Sequence, residues 1–333
     1  MAAMAASKLT GALPIISGAS LTGVSGRKNI IINGSMAVAQ RATSTTSGAK
    51  VYLLDRFYTY QFNASGRTVS QSTDSPSEFS HSLKVQRAAN NTATTDVYLS
   101  QPIESKNCVG TAGKKVTFSF WAKKGANWSK SGGTFPVSVT SGTGTDQSFM
   151  AGVTGGVTLI NSSATLTTSW AKYSFTSSAI VPTNSTQLIY QTISGWAGTA
   201  GADDSFYITG IQLEIGTEAT DFEHRSYGEE LTLCQRYFEK ITGGVGMGVV
   251  KSSTAADCAF QPKVNKRVTP TISFSGTVYA NDGSAQQGAT LSSTGGTKDG
   301  HIAIIAFSSL NTGRACMLYT ANADHSLFID AEL

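Results

Sequence analysis

Charge is scarce in this chain of 333 residues: Asp, Glu, Lys and Arg together make up 14%, with a formal net charge of +4. Soluble domains usually carry about a quarter charged residues, so this is not a surface of ion-laced helices. Nucleic-acid binders gather Lys and Arg on one face. The densest clusters here are Arg27-Lys28, Lys114-Lys115, Lys123-Lys124 and Lys263/Lys266/Arg267, which read as solvated strand ends or loops. No nucleic-acid partner is expected. Apolar runs of the ~20 residues that span a bilayer are lacking too, so no membrane insertion is expected. The four cysteines (Cys108, Cys234, Cys258, Cys316) and four histidines (His81, His224, His301, His325) are scattered, without the close pairs a zinc site needs. No metal is expected. The thiols read as free core groups of a protein assembled in a reducing cytoplasm, with a disulfide through Cys108 or Cys316 as the alternative.

Apolar residues, in contrast, reach 40%, more than a disordered chain carries. With 34 glycines and abundant Ser and Thr, the composition suits many short strands joined by tight turns. The fold class is all-β. The length accommodates two domains with sizeable cores.

Residues 1–28 stand apart as small, weakly apolar and Gly-punctuated, with Leu9-Thr10-Gly11 recurring as Leu21-Thr22-Gly23. Lys8 precedes a segment broken by Thr10, Gly11 and Pro14, which argues against a secretory signal. The segment reads as an anchor that orders against a partner through Leu9, Leu13, Ile15, Ile16 and Leu21. Residues 29–226 read as a β-sandwich: Ser82–Gln86, Val97–Gln101 and Lys115–Trp121 alternate with period two, and Trp170–Phe175, Gln187–Ile193 and Tyr207–Ile215 continue the set. Residues 227–240 form a linking helix, predicted over Glu229–Glu239 with Leu231, Cys234 and Phe238 on one stripe. Residues 241–333 return to strands (Ala259–Lys263, Thr271–Phe274, His301–Phe307, Arg314–Tyr319, Ser326–Glu332), with Pro262 and Pro270 at edges or turns, as a second, smaller β-domain.

Sugar recognition needs open aromatic faces beside amides and carboxylates. Trp128 and Trp196 sit in Gly-rich loops and are the candidate ligand platforms, whereas Trp121 and Trp170 lie within strands and are expected in the core. Tyr58 and Tyr60, flanked by Phe57 and Phe62, are expected to serve sheet packing. The Gly243–Gly248 run lacks the Lys-Ser/Thr of a phosphate loop, because Val249 follows it. It reads as a close backbone approach at a subunit seam. The acidic pairs Asp203-Asp204 and Glu229-Glu230 suit turn and cap roles rather than the spaced carboxylates of glycan hydrolysis. No catalytic residue, no cofactor and no enzymatic activity are expected.

Three segments carry a family likeness: Asn29–Met36 (NIIINGSM) with Leu54-Asp55-Arg56-Phe57; Lys114–Lys124 (KKVTFSFWAKK) with Leu166–Phe175; and Ile208–Arg225 (ITGIQLEIGTEATDFEHR) with Gly228–Lys240 (GEELTLCQRYFEK). Spanning about 29–240, they resemble the sandwich module of tailed-bacteriophage fibre and tail-spike proteins. The resemblance implies a jelly-roll β-sandwich in a structural virion surface protein, assembled in the host cytoplasm. It implies docking on other phage structural proteins through residues 1–28, a homotrimer, and β-domains displayed outward for host attachment. A glycan-binding module with its receptor site in the jelly roll is the alternative, and a glycan depolymerase a third reading. The architecture also resembles carbohydrate-binding jelly rolls that hold a structural calcium. Ser35 and Gly210 stand where those proteins have acidic ligands, with Asp203, Asp204 and Asp221 as weak substitutes, so calcium is not expected.

Overall fold

The computed structural model describes residues 27–61, 66–322 and 325–333, without the side chains at 293–294 and 301–304. The anchor residues Leu9, Leu13, Ile15, Ile16 and Leu21, and Phe62, lie outside these residues. Twelve strands come first: β1 (Ser44–Thr45), β2 (Val51–Tyr52), β3 (Tyr58–Gln61), β4 (Arg67–Ser72), β5 (Ser82–Arg87), β6 (Val97–Pro102), β7 (Val116–Lys124), β8 (Phe135–Gly142), β9 (Val157–Ala164), β10 (Ala171–Thr176), β11 (Gln187–Ser194) and β12 (Asp204–Ile215). They form a jelly-roll sandwich of two antiparallel sheets, ordered β1-β4-β5-β12-β7-β10 and β2-β3-β6-β11-β8-β9. The period-two pattern does this directly. Val116, Phe118 and Phe120 of β7 and Leu188 and Tyr190 of β11 point inward, and Phe118 stacks on Tyr190 at 4.7 Å between centroids.

Beyond the sandwich come the helix α1 (Tyr227–Gln235) and nine strands: β13 (Phe238–Ile241), β14 (Gly244–Ser252), β15 (Ala255–Phe260), β16 (Thr271–Ser275), β17 (Val278–Asn281), β18 (Gln286–Gly296), β19 (His301–Ala306), β20 (Ala315–Thr320) and β21 (Ser326–Asp330). Six of them close a barrel, β14-β15-β19-β18-β17-β20, and β13-β21-β16 form a small sheet beside it. Barrel closure removes the exposed edges that short Gly-rich strands would otherwise present. The Gly243–Gly248 run lies mostly in β14. A Cβ at Gly248 would stand 1.7 Å from the Asp257 carbonyl oxygen, and one at Gly246 would stand 2.9 Å from that of Ala259. The close approach is therefore to the chain's own β15.

The helix is shorter than the predicted Glu229–Glu239. Ser226 opens it with a reciprocal capping box to Glu229, but it ends at Gln235, and Phe238 lies on a strand instead of the helical stripe. Pairing of β13 with β21, Phe238 opposite Asp330, outweighs the helical pattern there, and Phe238 packs on Phe328 at 5.3 Å. The strand expected at Ala259–Lys263 starts earlier and stops at Phe260, two residues before Pro262. All four cysteines are free and buried.

Sandwich, helix and barrel domain meet in one buried joint. Asn33, Met36 and Arg56 adopt left-handed backbone there, with φ of 60°, 58° and 71°. The Asn33 side chain bonds Val38 in both directions and donates to the Asp55 carbonyl, while Glu230 accepts its backbone N–H. Arg56, only 1% exposed, pairs with Glu332 and lies over the Tyr237 ring, 3.6 Å from its centroid. Arg41 pairs with Asp330 at 3.0 Å and lies 3.5 Å over Phe238. Across the same joint, Arg236 and Tyr237 hold Glu104, and Arg267 reaches Asp146 at 3.0 Å. Lys266 and Glu239 form a fully buried pair at 2.7 Å.

Glu332→Gln leaves Arg56 as an uncompensated buried charge, and its expected cost is about 3 kcal/mol in denaturant unfolding. Replacing both partners (Arg56→Met with Glu332→Leu) should cost less than either single change, and additive losses would mean the pair is not coupled. Burial raises the Asp55 carboxyl to about 6, against hydrogen bonds from Gln40 that lower it. Because the folded state holds this proton more tightly than the unfolded chain, stability from this group is fullest below about pH 4. It declines as pH rises towards 6 and is level above that. Asp55→Asn should flatten that part of a stability–pH curve, and an unchanged slope would refute the assignment.

Candidate functional site

The register of the second sheet sorts its outer face into rows. One row runs Tyr60–Tyr98–Ile193, and the next Tyr58–Ser100–Gln191–Ser138–Asn161. Val97 and Leu99 fill the core, so Tyr98 between them must point outward. Tyr60 and Tyr98 lie half-buried, their rings 6.1 Å apart and tilted by 59°. In the second row Tyr58 and Gln191 are buried, yet the Tyr58 hydroxyl and the Gln191 Nε2 have no hydrogen-bond partner among the described residues. The Tyr58 hydroxyl lies near Ser100 and the Met150 backbone without bonding geometry, and burial raises its pKa.

The loop of residues 143–156 is pinned to this face. Gln147 donates its backbone N–H to Gln187 Oε1 at 2.8 Å, and the backbone N–H of Ser105 donates to Asp146 Oδ1 at 2.8 Å. Asp146 in turn takes Arg267, so the loop is tied to the barrel domain as well. At the opposite end of the face, Asp96 and Lys130 lie close enough for Asp96 to counter the effect of burial on the Lys130 ammonium. The result is a half-buried aromatic row beside a buried polar row, so Tyr60 and Tyr98 are the rings this face offers to a ligand with an apolar side.

The two predicted platforms fare differently. Trp196 is 2% exposed, stacked on Phe206 at 6.3 Å, with the Arg87 guanidinium 5.5 Å from its ring. This corrects the expectation of an open indole. Its Gly-rich loop folds inward because Arg87, itself fully buried, binds Asp204 at 2.8 Å and the carbonyls of Ala93, Ala197 and Gly198. Trp128 is half-buried against the same core, with Lys124 5.9 Å over its ring. Trp121 and Trp170, expected in the core, are instead half-exposed on the outer face of the first sheet. Tyr60 joins the outer row with Tyr98, whose outward phase was readable from Val97-Tyr98-Leu99 but was not singled out.

The acidic pairs serve structure. Asp203 accepts from Ser205 and from the Ala126 N–H, Asp204 from Arg87 and Ser129, Glu229 completes the helix cap, and Glu230 holds Asn33 and Arg225. At the calcium-type position, Gly210 sits in a bulge with φ +59°, where a Cβ would meet Phe79 at 2.6 Å. The Lys28 ammonium bonds the Asp221 carbonyl and Thr220 Oγ1 nearby, at 2.6 and 2.7 Å. Lys28, Lys123, Lys266 and Arg267 of the basic clusters are thus each bound to oxygen atoms of this chain.

A cavity of about 1090 Å³ lies at one end of the barrel, where Met247, Ala259 and Met317 meet the turn at Thr297–Gly300. Its aromatic ring, Phe260, is buried, so the lining is mainly aliphatic and glycine backbone.

No protein-family model and no curated protein sequence matches the chain. Among solved structures, the enzymatically active domain of bacteriophage CBA120 tailspike protein 4 is similar at 16% identity and a TM-score of 0.37, covering 56% of this chain and 21% of that one. A putative sugar-binding protein from Bacteroides thetaiotaomicron aligns at 14% identity and 0.33, covering 57% of this chain and 100% of the other. The CBM22-1 xylan-binding domain from Paenibacillus barcinonensis Xyn10C aligns at 11% and 0.32, covering 59% and 100%. Scores and identities this low carry nothing about ligands.

Proposed function

We propose that this chain is a non-catalytic recognition protein whose sandwich binds glycan across the outer face of its second sheet. The carrying observation is the Tyr60–Tyr98 row, two half-buried rings 6.1 Å apart on the outward phase of neighbouring strands. Tyrosine faces stack on the apolar side of a pyranose, and the Tyr60 and Tyr98 rings offer such faces at the sheet surface. Binding rather than hydrolysis is supported by the structural engagement of Asp203, Asp204, Glu229 and Glu230.

The setting we propose is the virion surface of a tailed bacteriophage, docked on other phage structural proteins through residues 1–28 and displaying the β-domains for host attachment. The support is the likeness of the three sequence segments named above. A homotrimer accompanies this reading. Met247, Val249 and Met317 favour it: they are 73%, 50% and 51% exposed, and Met247 pairs in register with Met317 on the barrel wall. Such an apolar stripe is what an association surface leaves bare in a single copy.

Affinity electrophoresis against xylan, mixed-linkage β-glucan and galactomannan tests the first reading. Tyr60→Ala and Tyr98→Ala should each weaken retention by about tenfold, equivalent to ~1.4 kcal/mol, with unfolding midpoints held. Failure to bind any of the three polymers, or an unaltered double variant, rejects it. Light scattering tests the second: the chain should run as a trimer, and Met247→Lys with Met317→Lys should shift it to monomer. A monomeric parent protein rules the seam out.

A further inference from the structure

We infer that the outer face of the first sheet, on the opposite side of the sandwich from the tyrosine rows, is a second binding surface whose ligand is an anionic saccharide. Its centre is Tyr207, which forms an edge contact with Trp170 at 6.1 Å between centroids. Two ammonium groups approach the Tyr207 ring, Lys123 at 4.7 Å and Lys84 at 5.1 Å, and Lys123 also lies 5.5 Å from Trp170. The register explains the grouping. Lys84 lies opposite Tyr207 across β5–β12, Lys123 lies opposite it across β7–β12, and Trp170 immediately precedes the first residue of β10, which pairs with Ala122.

The platform is held rather than loose. Asp74 accepts from the Trp170 indole at 3.0 Å and pairs with Lys123, which fixes the indole plane and one ammonium together. Lys84 has no carboxylate within ion-pair distance among the described residues, though Asp74 feels its charge, and it stays half-buried beside the ring. Trp121 and Lys172 extend the same face one register step along. Half-exposed Trp170 offers ring surface for stacking, and Lys84, Lys123 and Lys172 outnumber Asp74 around it. Carbohydrate rings carrying a carboxylate or sulfate satisfy both features at once: the ring stacks and the anion meets Lys84. A neutral sugar leaves the lysines unused, and a simple anion leaves the aromatic surface uncovered.

The test uses the full chain and three soluble polymers: polygalacturonate, dextran sulfate and neutral dextran. Retention of polygalacturonate or dextran sulfate, but not of neutral dextran, is expected, with the better of the two naming the anion. Trp170→Ala and Lys84→Glu should each weaken that retention at least tenfold, while Tyr98→Ala leaves it unchanged, which separates this surface from the tyrosine face. Trp170→Phe should keep most of the binding and guards against a folding defect in the alanine variant. Retention lost to salt alone and insensitive to Trp170→Ala would mean bulk charge attraction and would overturn the inference, as would equal retention of neutral dextran.

Discussion

The structure depends on a charge that burial should forbid. Arg56 sits at the meeting of sandwich, helix and barrel domain, where an unpaired guanidinium would cost several kcal/mol. It is tolerated because Glu332 supplies the opposite charge, the Pro102 carbonyl takes a second nitrogen at 2.6 Å, and the Tyr237 ring receives its face. Each partner comes from a different part of the chain. The charge can be satisfied only when all three parts have docked, so local folding and overall assembly are coupled through one side chain. Left-handed backbone at Asn33, Met36 and Arg56 persists for the same reason, since the surrounding bonds leave no alternative conformation.

That joint also locates the family likeness. Asn33, Asp55 and Arg56, from the opening segments, and Arg225 and Glu230, from the closing ones, meet there. The residues most recognisable in the sequence therefore do architectural work, and they say little about what the faces bind. The proposed recognition falls to side chains at the outward phase of the strands. These can vary without disturbing a core built from Val97, Leu99, Phe118 and their neighbours.

The two outer faces differ in a way that bears on ligands. Tyrosines and uncharged polar groups line one, whereas indole, tyrosine and lysine line the other. Loop 143–156 sits over part of the first and is tethered through Asp146 to Arg267 near the barrel domain. The second carries its own lock in Asp74. The first is held by contacts outside the candidate ligand surface and the second by a contact within it, and both limit the ordering entropy a ligand must supply.

Strand identity was legible wherever the period-two pattern was unbroken. Val116, Phe118 and Phe120 face the core as their alternation implies, and the capping residues at Ser226 and Glu229 mark the start of the helix. The tryptophans were legible only in part, since the alternation that turns Phe118 and Phe120 inward sets Trp121 on the other face. Gly-rich flanks suggested that Trp196 was open, yet Arg87 pulls its loop inward. Strand position suggested that Trp121 and Trp170 were buried, yet they take the outward phase. The end of the helix was equally hidden, because β21, some ninety residues further along, claims Phe238. Composition and periodicity by themselves determined the all-β class and the core phase of the clearest strands, because these follow from neighbours in the chain. Only the tertiary structure decided which aromatic rings reach solvent and where the ions pair, because burial and electrostatic partnership are set by residues distant in sequence.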